Sequence, residues 1–179
     1  QRIYPVSDVA FTISTPGNVT FAAPAGSDTR IPLSAGGSLT VTAANILQGG
    51  NLFAPLGKIT LTGGSGTNPD GSKQGVVLAP GSLTSVSLAD TVVPYGATAD
   101  GTGWYYNSNA NPLSAPPSKG LELGGASIVV QAGSTIDERG GGDLQAMEWI
   151  PGKGGTHDTL STINGGLANG SGAGPTVYA

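Results

Sequence analysis

The chain has 179 residues, of which 10% are charged, and carries a net charge of −4. It therefore has no basic surface for nucleic acid or for an anionic membrane. It has no cysteine and one histidine, which excludes disulfides, thiolate chemistry and an ordinary structural zinc site. No run reaches the roughly 18 apolar residues that a membrane-spanning helix needs.

Glycine contributes 31 residues and proline 13. They follow no Gly-x-y period, so collagen is excluded. The glycines sit between short Val/Ile/Leu/Thr runs, which is the pattern of many strands joined by tight turns. The start at Gln1, with no charged leader before an apolar core, reads as a processed product or a fragment and is compatible with export.

In chain order, the first clear runs are "NVTFAA" from Asn18, "SLTVTA" from Ser38 and "KITLTG" from Lys58. Each alternates apolar and Thr positions, the two-residue period of a strand. The even spacing predicts a solenoid, with Val19, Leu39 and Ile59 in one column and Phe21, Val41 and Leu61 in the next. Ile46 and Leu52 would supply the other faces of a triangular coil, with Gly49, Gly50 and Gly57 at its corners. The register then breaks at a polar insertion, 64–75. Strand runs resume at "GVVLA" and "LTSVSLA". The aromatic and Pro-rich segment 90–120 reads as a loop excursion or a pair of hairpins. Leu121, Leu123, Ile128, Val130, Ile136 and Leu144 return as inward positions. Residues 143–150 are the one weak helix candidate, limited by Pro151. Residues 164–179 read as a loose last rung or an exit linker.

The expected fold is all-β: a parallel β-helix with loop excursions, forming a single segment over 1–179. The alternative is a β-sandwich or jelly roll. No polar cap is evident at either end, which suggests that more chain or another subunit lies beyond.

Three stretches carry a family resemblance: "GGSLTVTAANILQGGNLFAPLGKITLTG", "VVLAPGSLTSVSLADTVVPYG" and "GSTIDERGGGDLQAMEWIPGKGGTHDTLS". They resemble segments of the filamentous haemagglutinin-type exoproteins of Gram-negative bacteria. The last is the most specific, with Gly140 to Leu144, Trp149, Pro151 to Gly155 and Asp158 to Leu160. The resemblance covers most of 36–163 and implies a right-handed parallel β-helix, an outer-membrane secretion transporter as partner, and a role as adhesin or surface filament. It supplies no catalytic residues.

Asp137, Glu138, Asp143 and Glu148 could provide the two carboxylates of glycoside cleavage. The other reading is a structural corner, in which Asp137 or Glu138 pairs with Arg139, Gly140, Gly141 and Gly142 fold the chain back, and Asp143, Trp149 and Pro151 complete the turn. Asp70 and Asp100 sit in turn sequences with one carboxylate each, too few for calcium; a site joining Asp137, Asp143 and backbone carbonyls is the calcium option that remains. His157 beside Asp158 lacks the nucleophile elbow of a serine hydrolase and reads as an exposed turn. Asn18 and Asn169 match the N-glycosylation pattern and carry no functional weight. Tyr95, Trp104, Tyr105 and Tyr106 are the candidate ligand-binding cluster, set against packing onto the wall of the coil.

The expected function is structural, without catalysis, cofactor or metal: a secreted, adhesin-like rigid scaffold presenting loops to surface glycans or proteins. The alternatives are a filament subunit joined head to tail by strand pairing, and a polysaccharide-degrading enzyme.

Overall fold

A computed structural model describes residues 9–23, 30–99, 102–106 and 111–147. Among these residues, fourteen strands form four sheets. The first sheet contains β1 (Ala10–Ser14), β3 (Ser38–Thr42), β6 (Lys58–Thr62) and β11 (Gly120–Gly124), in that order. The second has β2 (Asn18–Ala22), β4 (Asn45–Gly49), β7 (Gly75–Leu78) and β12 (Ser127–Val130). The third has β5 (Asn51–Phe53), β8 (Leu83–Ser85) and β13 (Thr135–Asp137). All pairings within these three sheets are parallel. The fourth sheet is mixed: β9 (Val92–Ala99) pairs antiparallel with β10 (Gly103–Tyr105) and parallel with β14 (Asp143–Met147).

Alternation decides which side chains face inward. On β6, Ile59 and Leu61 are fully buried, while Lys58 is exposed. Leu39 pairs with Ile59, and Val41 with Leu61. Across the core lie Ile46, Val76 and Leu78 from the second sheet, with Ala54 and Val86. Each such aliphatic side chain contributes about 1.5–3 kcal/mol on leaving water. Polar side chains enter this interior too, Gln48, Ser82, Thr84 and Ser85 among them. Gln48 is fully buried, and its Nε2 donates to the carbonyls of Gly50 at 2.9 Å and Leu83 at 3.2 Å. Its Oε1 accepts from the Gly50 N–H at 3.2 Å, so the amide is satisfied where an unpaired one would be costly. A second core gathers Ala35, Leu88, Val93, Tyr95 and Tyr106 between the 30s segment and the fourth sheet.

This arrangement corrects the regularly repeating right-handed β-helix expected from the sequence. Ser38 does pair with Lys58, but the next partner of Lys58 is Gly120. Val19 does not stack on Leu39: it lies beside Ile46 in a different sheet, and Phe21 lies beside Gln48. On the side away from β6, Leu39 and Val41 neighbour Phe11 and Ile13 on β1. Alternation marks a strand but not the sheet it joins, so of the evenly spaced runs at 18, 38 and 58 only the last two pair. In place of a uniform repeat there are four discrete sheets facing one another across two cores, linked by long-range pairing. The sandwich alternative shares that layering, yet the strands of the first three sheets run parallel.

The weak helix over 143–150 is also corrected. Residues 143–147 are strand β14, recruited by pairing with β9. The polar insertion 64–75 is a tight turn closed by a bridge between Thr67 and Lys73, leading into β7. The 90–120 excursion contains β9 and β10. The 164–179 segment lies outside the described residues.

Candidate functional site

Among the described residues, the first three sheets each end in strands that have a neighbour on one side only. β1 and β11 bound the first sheet, β2 and β12 the second, and β5 and β13 the third. At these ends the inward columns run out into solvent. Ile128 pairs with Val76, which is 1% exposed, yet Ile128 is 47% exposed. Val130 pairs with fully buried Leu78 and is itself 54% exposed. Ile136 on β13 is exposed as well. At the opposite end, Phe11 continues the Leu39–Ile59 column and is 58% exposed. Parallel edge strands also present a row of unpaired N–H and C=O groups, a template for a further strand. The sequence marked Ile128, Val130 and Ile136 as inward but missed Phe11. The alternation of Phe11 and Ile13 in "AFTIS" was the available signal.

The predicted aromatic cluster lies elsewhere. Tyr95 and Tyr106 are buried in the second core and stack with ring centroids 4.1 Å apart. Trp104 meets Tyr95 edge-on at 6.2 Å, and its Nε1 donates to the Tyr95 carbonyl at 2.7 Å. Tyr105 is half-buried on β10. The buried faces of Tyr95 and Tyr106 are spent on each other and on Leu88 and Val93, which leaves a ligand little ring surface to contact.

The 137–143 stretch forms a corner at the end of β13. Arg139 donates from Nε to Asp137 Oδ1 at 2.9 Å and from Nη2 to Oδ2 at 3.0 Å. The Nζ of Lys119 donates to the carbonyls of Glu138 and of Arg139, the latter at 2.6 Å. Gly141 and Gly142 have φ of 103° and 78°. A Cβ on Gly142 would also stand 2.5 Å from the Leu88 Cβ, so this return of the chain requires glycine. Gly140 has open space around it. Asp143 begins β14 in another sheet.

The Arg139 hydrogen bonds hold the Asp137 carboxyl below its ordinary value of 3.8. A glycosidase acid needs a shift in the opposite direction. A lowered folded value stabilises the protein above the unfolded value, and that gain disappears as pH falls through the folded value. Asp137→Asn is therefore expected to lower the melting temperature slightly at neutral pH and to match the parent below the folded Asp137 value. Melting curves from pH 7 down to about 2 test this; a gap that persists at the acid end would assign the effect to something other than this charge.

Asp70 sits in the polar insertion, where its Oδ1 accepts from the Ser72 N–H at 2.9 Å and the Ser72 hydroxyl at 2.6 Å. The hydroxyl bond is the main cause of its lowered pKa. Among the described residues, no group of three or more His, Cys, Asp and Glu side chains is placed to hold a metal ion. Asp100, Glu148, Trp149, Pro151, His157, Asp158 and Asn169 lie outside the described residues.

No protein-family model, no curated protein and no solved structure matches the chain. The resemblance to filamentous haemagglutinin-type exoproteins is corrected by the sheet arrangement. Its quoted stretches are strand and turn patterns that the chain assembles into four sheets of uneven spacing. The rigid β-helical adhesin scaffold that followed from it falls with it.

Proposed function

We propose that the chain is a structural subunit that joins copies of itself end to end by strand pairing. The observation that carries this reading is the exposure of Ile128 and Val130 at one end and of Phe11 at the other, in columns that are buried one strand further in. β1 and β11 are opposite edges of one sheet, as are β2 and β12 of another. All run parallel, so a second copy displaced along the stack sets its β1 and β2 beside the first copy's β11 and β12. The contact is head to tail and leaves a free edge at each end, so it propagates without closing. Added strands contribute main-chain hydrogen bonds, and the apolar columns contribute burial.

We place this assembly outside the producing cell. A chain with no cysteine carries no thiol that an oxidising exterior would alter, so its fold is compatible with that location. Among the described residues, no helix is long and apolar enough to cross a membrane.

Sedimentation velocity over a wide range of protein concentration tests the proposal. Species that grow with concentration are expected. A monomer at every concentration overturns it.

A further inference from the structure

The outer face of the second sheet carries a groove of about 440 Å³ between β2, β4 and the 64–75 insertion. One wall is a ladder of amides. Asn45 Nδ2 donates to Asn18 Oδ1 at 2.8 Å and to Asn68 Oδ1 at 2.9 Å. Asn68 Nδ2 donates back to Asn45 Oδ1 at 3.2 Å and to Ser72 Oγ at 3.0 Å. The ladder is fixed at its base because Asn18 and Asn45 are register partners. The insertion is held by its own backbone, with Asn68 N–H bonded to the Ser72 carbonyl at 2.7 Å and Gly71 N–H to the Asn68 carbonyl at 2.9 Å. The floor is apolar: Leu47 is 42% exposed on a strand whose neighbouring Ile46 and Gln48 are buried, and Pro69 flanks it.

Among the described residues, the lining includes one carboxylate, Asp70, and no cationic side chain. A phosphate or sulfate has no partner there. A divalent hard cation wants about six oxygens and gets one carboxylate against an apolar floor. A sugar ring fits both parts: its C–H face covers Leu47 and Pro69, and its hydroxyls take the amides and the carboxylate. Asp70 has Oδ2 available, since its Ser72 bonds are both to Oδ1. The volume lies within the usual range of about 300–1,000 Å³ for small-molecule sites. We propose that this groove binds a short neutral saccharide, with Asp70 and the Asn18–Asn45–Asn68 ladder recognising hydroxyls and Leu47 supporting the ring. The groove uses outward side chains of β2 and β4, whereas end-to-end assembly would use the main-chain edge of β2, so sugar binding is titrated at concentrations where the protein sediments as a monomer.

The test is titration of the isotope-labelled protein with maltose, cellobiose and diacetylchitobiose, following Asn side-chain amide resonances. At least one is expected to shift the Asn45 and Asn68 amides with a dissociation constant on the order of a millimolar. Asp70→Asn keeps the turn and removes the charge, and is expected to weaken binding roughly tenfold. Leu47→Lys, at an exposed position, is expected to abolish it with an unchanged circular dichroism spectrum. No shift with any of the three sugars overturns the proposal. So does equal binding by both variants, or tighter binding of a sulfated disaccharide.

Discussion

Gly75→Ala is expected to destabilise the fold by about 3 kcal/mol or more in urea titration, at the upper end of what overpacking costs. Gly75 opens β7, the strand between β4 and β12. A Cβ there would lie 1.8 Å from the Ser127 carbonyl oxygen and 2.7 Å from the Ser127 carbonyl carbon. Both atoms belong to backbone, so no rotamer change relieves the clash, and β12 must move away from β7. That movement breaks the register that places Ile128 on Val76 and Val130 on Leu78. Gly120→Ala is the control: it too opens a strand, but a Cβ there has no atom within 4 Å, and a change within about 0.5 kcal/mol is expected. Equal effects at the two positions would show that β12 yields to a methyl group and that the close approach has no energetic role.

The double substitution Ile128→Lys with Val130→Lys is expected to abolish assembly while leaving the subunit folded. Both side chains are about half exposed in the isolated chain, so the lysines reach water and cost the monomer little. In the associated state they would sit where an apolar column is covered, and burying unpaired ammonium groups costs several kcal/mol each. A loss of at least about 100-fold in association, or roughly 2.8 kcal/mol, follows from even partial desolvation. Phe11→Lys should have the same effect from the other end. The decisive experiment mixes the two variants. Each keeps one intact edge, and a head-to-tail contact joins the intact edge of one to that of the other. Dimers that grow no further are expected. Assembly by either variant alone would point to a head-to-head contact or to a different surface.

Strand identity was legible in the sequence wherever apolar and Thr positions alternate: "SLTVT" and "KITLT" are paired strands, and "NVTFA" is a strand as well. Sheet membership was not, because pairing depends on loop lengths that alternation does not encode. The step from Lys58 to Gly120 skips the insertion and the strands β7, β8, β9 and β10. The open ends were half legible. Ile128 and Val130 read as inward, but only the structure shows that no described strand covers them. Tyr95 and Tyr106 show how packing and recognition read alike in a sequence. An aromatic cluster in a Pro-rich segment looks like a recognition surface, yet hydrogen bonding by Trp104 and ring stacking hold it in a core. The amide ladder was hidden because its three asparagines come from two strands and an insertion. Asn18 and Asn45 do open "NVTFA" and "NILQG" at equivalent positions, which was the one clue.

The same parallel pairing sets how the chain reaches its native state. Among the described strands, only β9 and β10 pair as sequence neighbours; every other pairing reaches past at least one intervening strand. Such contacts must close long loops before they return any energy, which places folding in the slow range of roughly milliseconds to seconds. During that interval a nucleus built from β3 to β8 already displays the acceptor edge that β11, β12 and β13 will later occupy. The arriving strands can come from the same chain or from another. Refolding yield should therefore fall with protein concentration through exchange of the C-terminal strands, a kinetic competition between completing one molecule and entangling two.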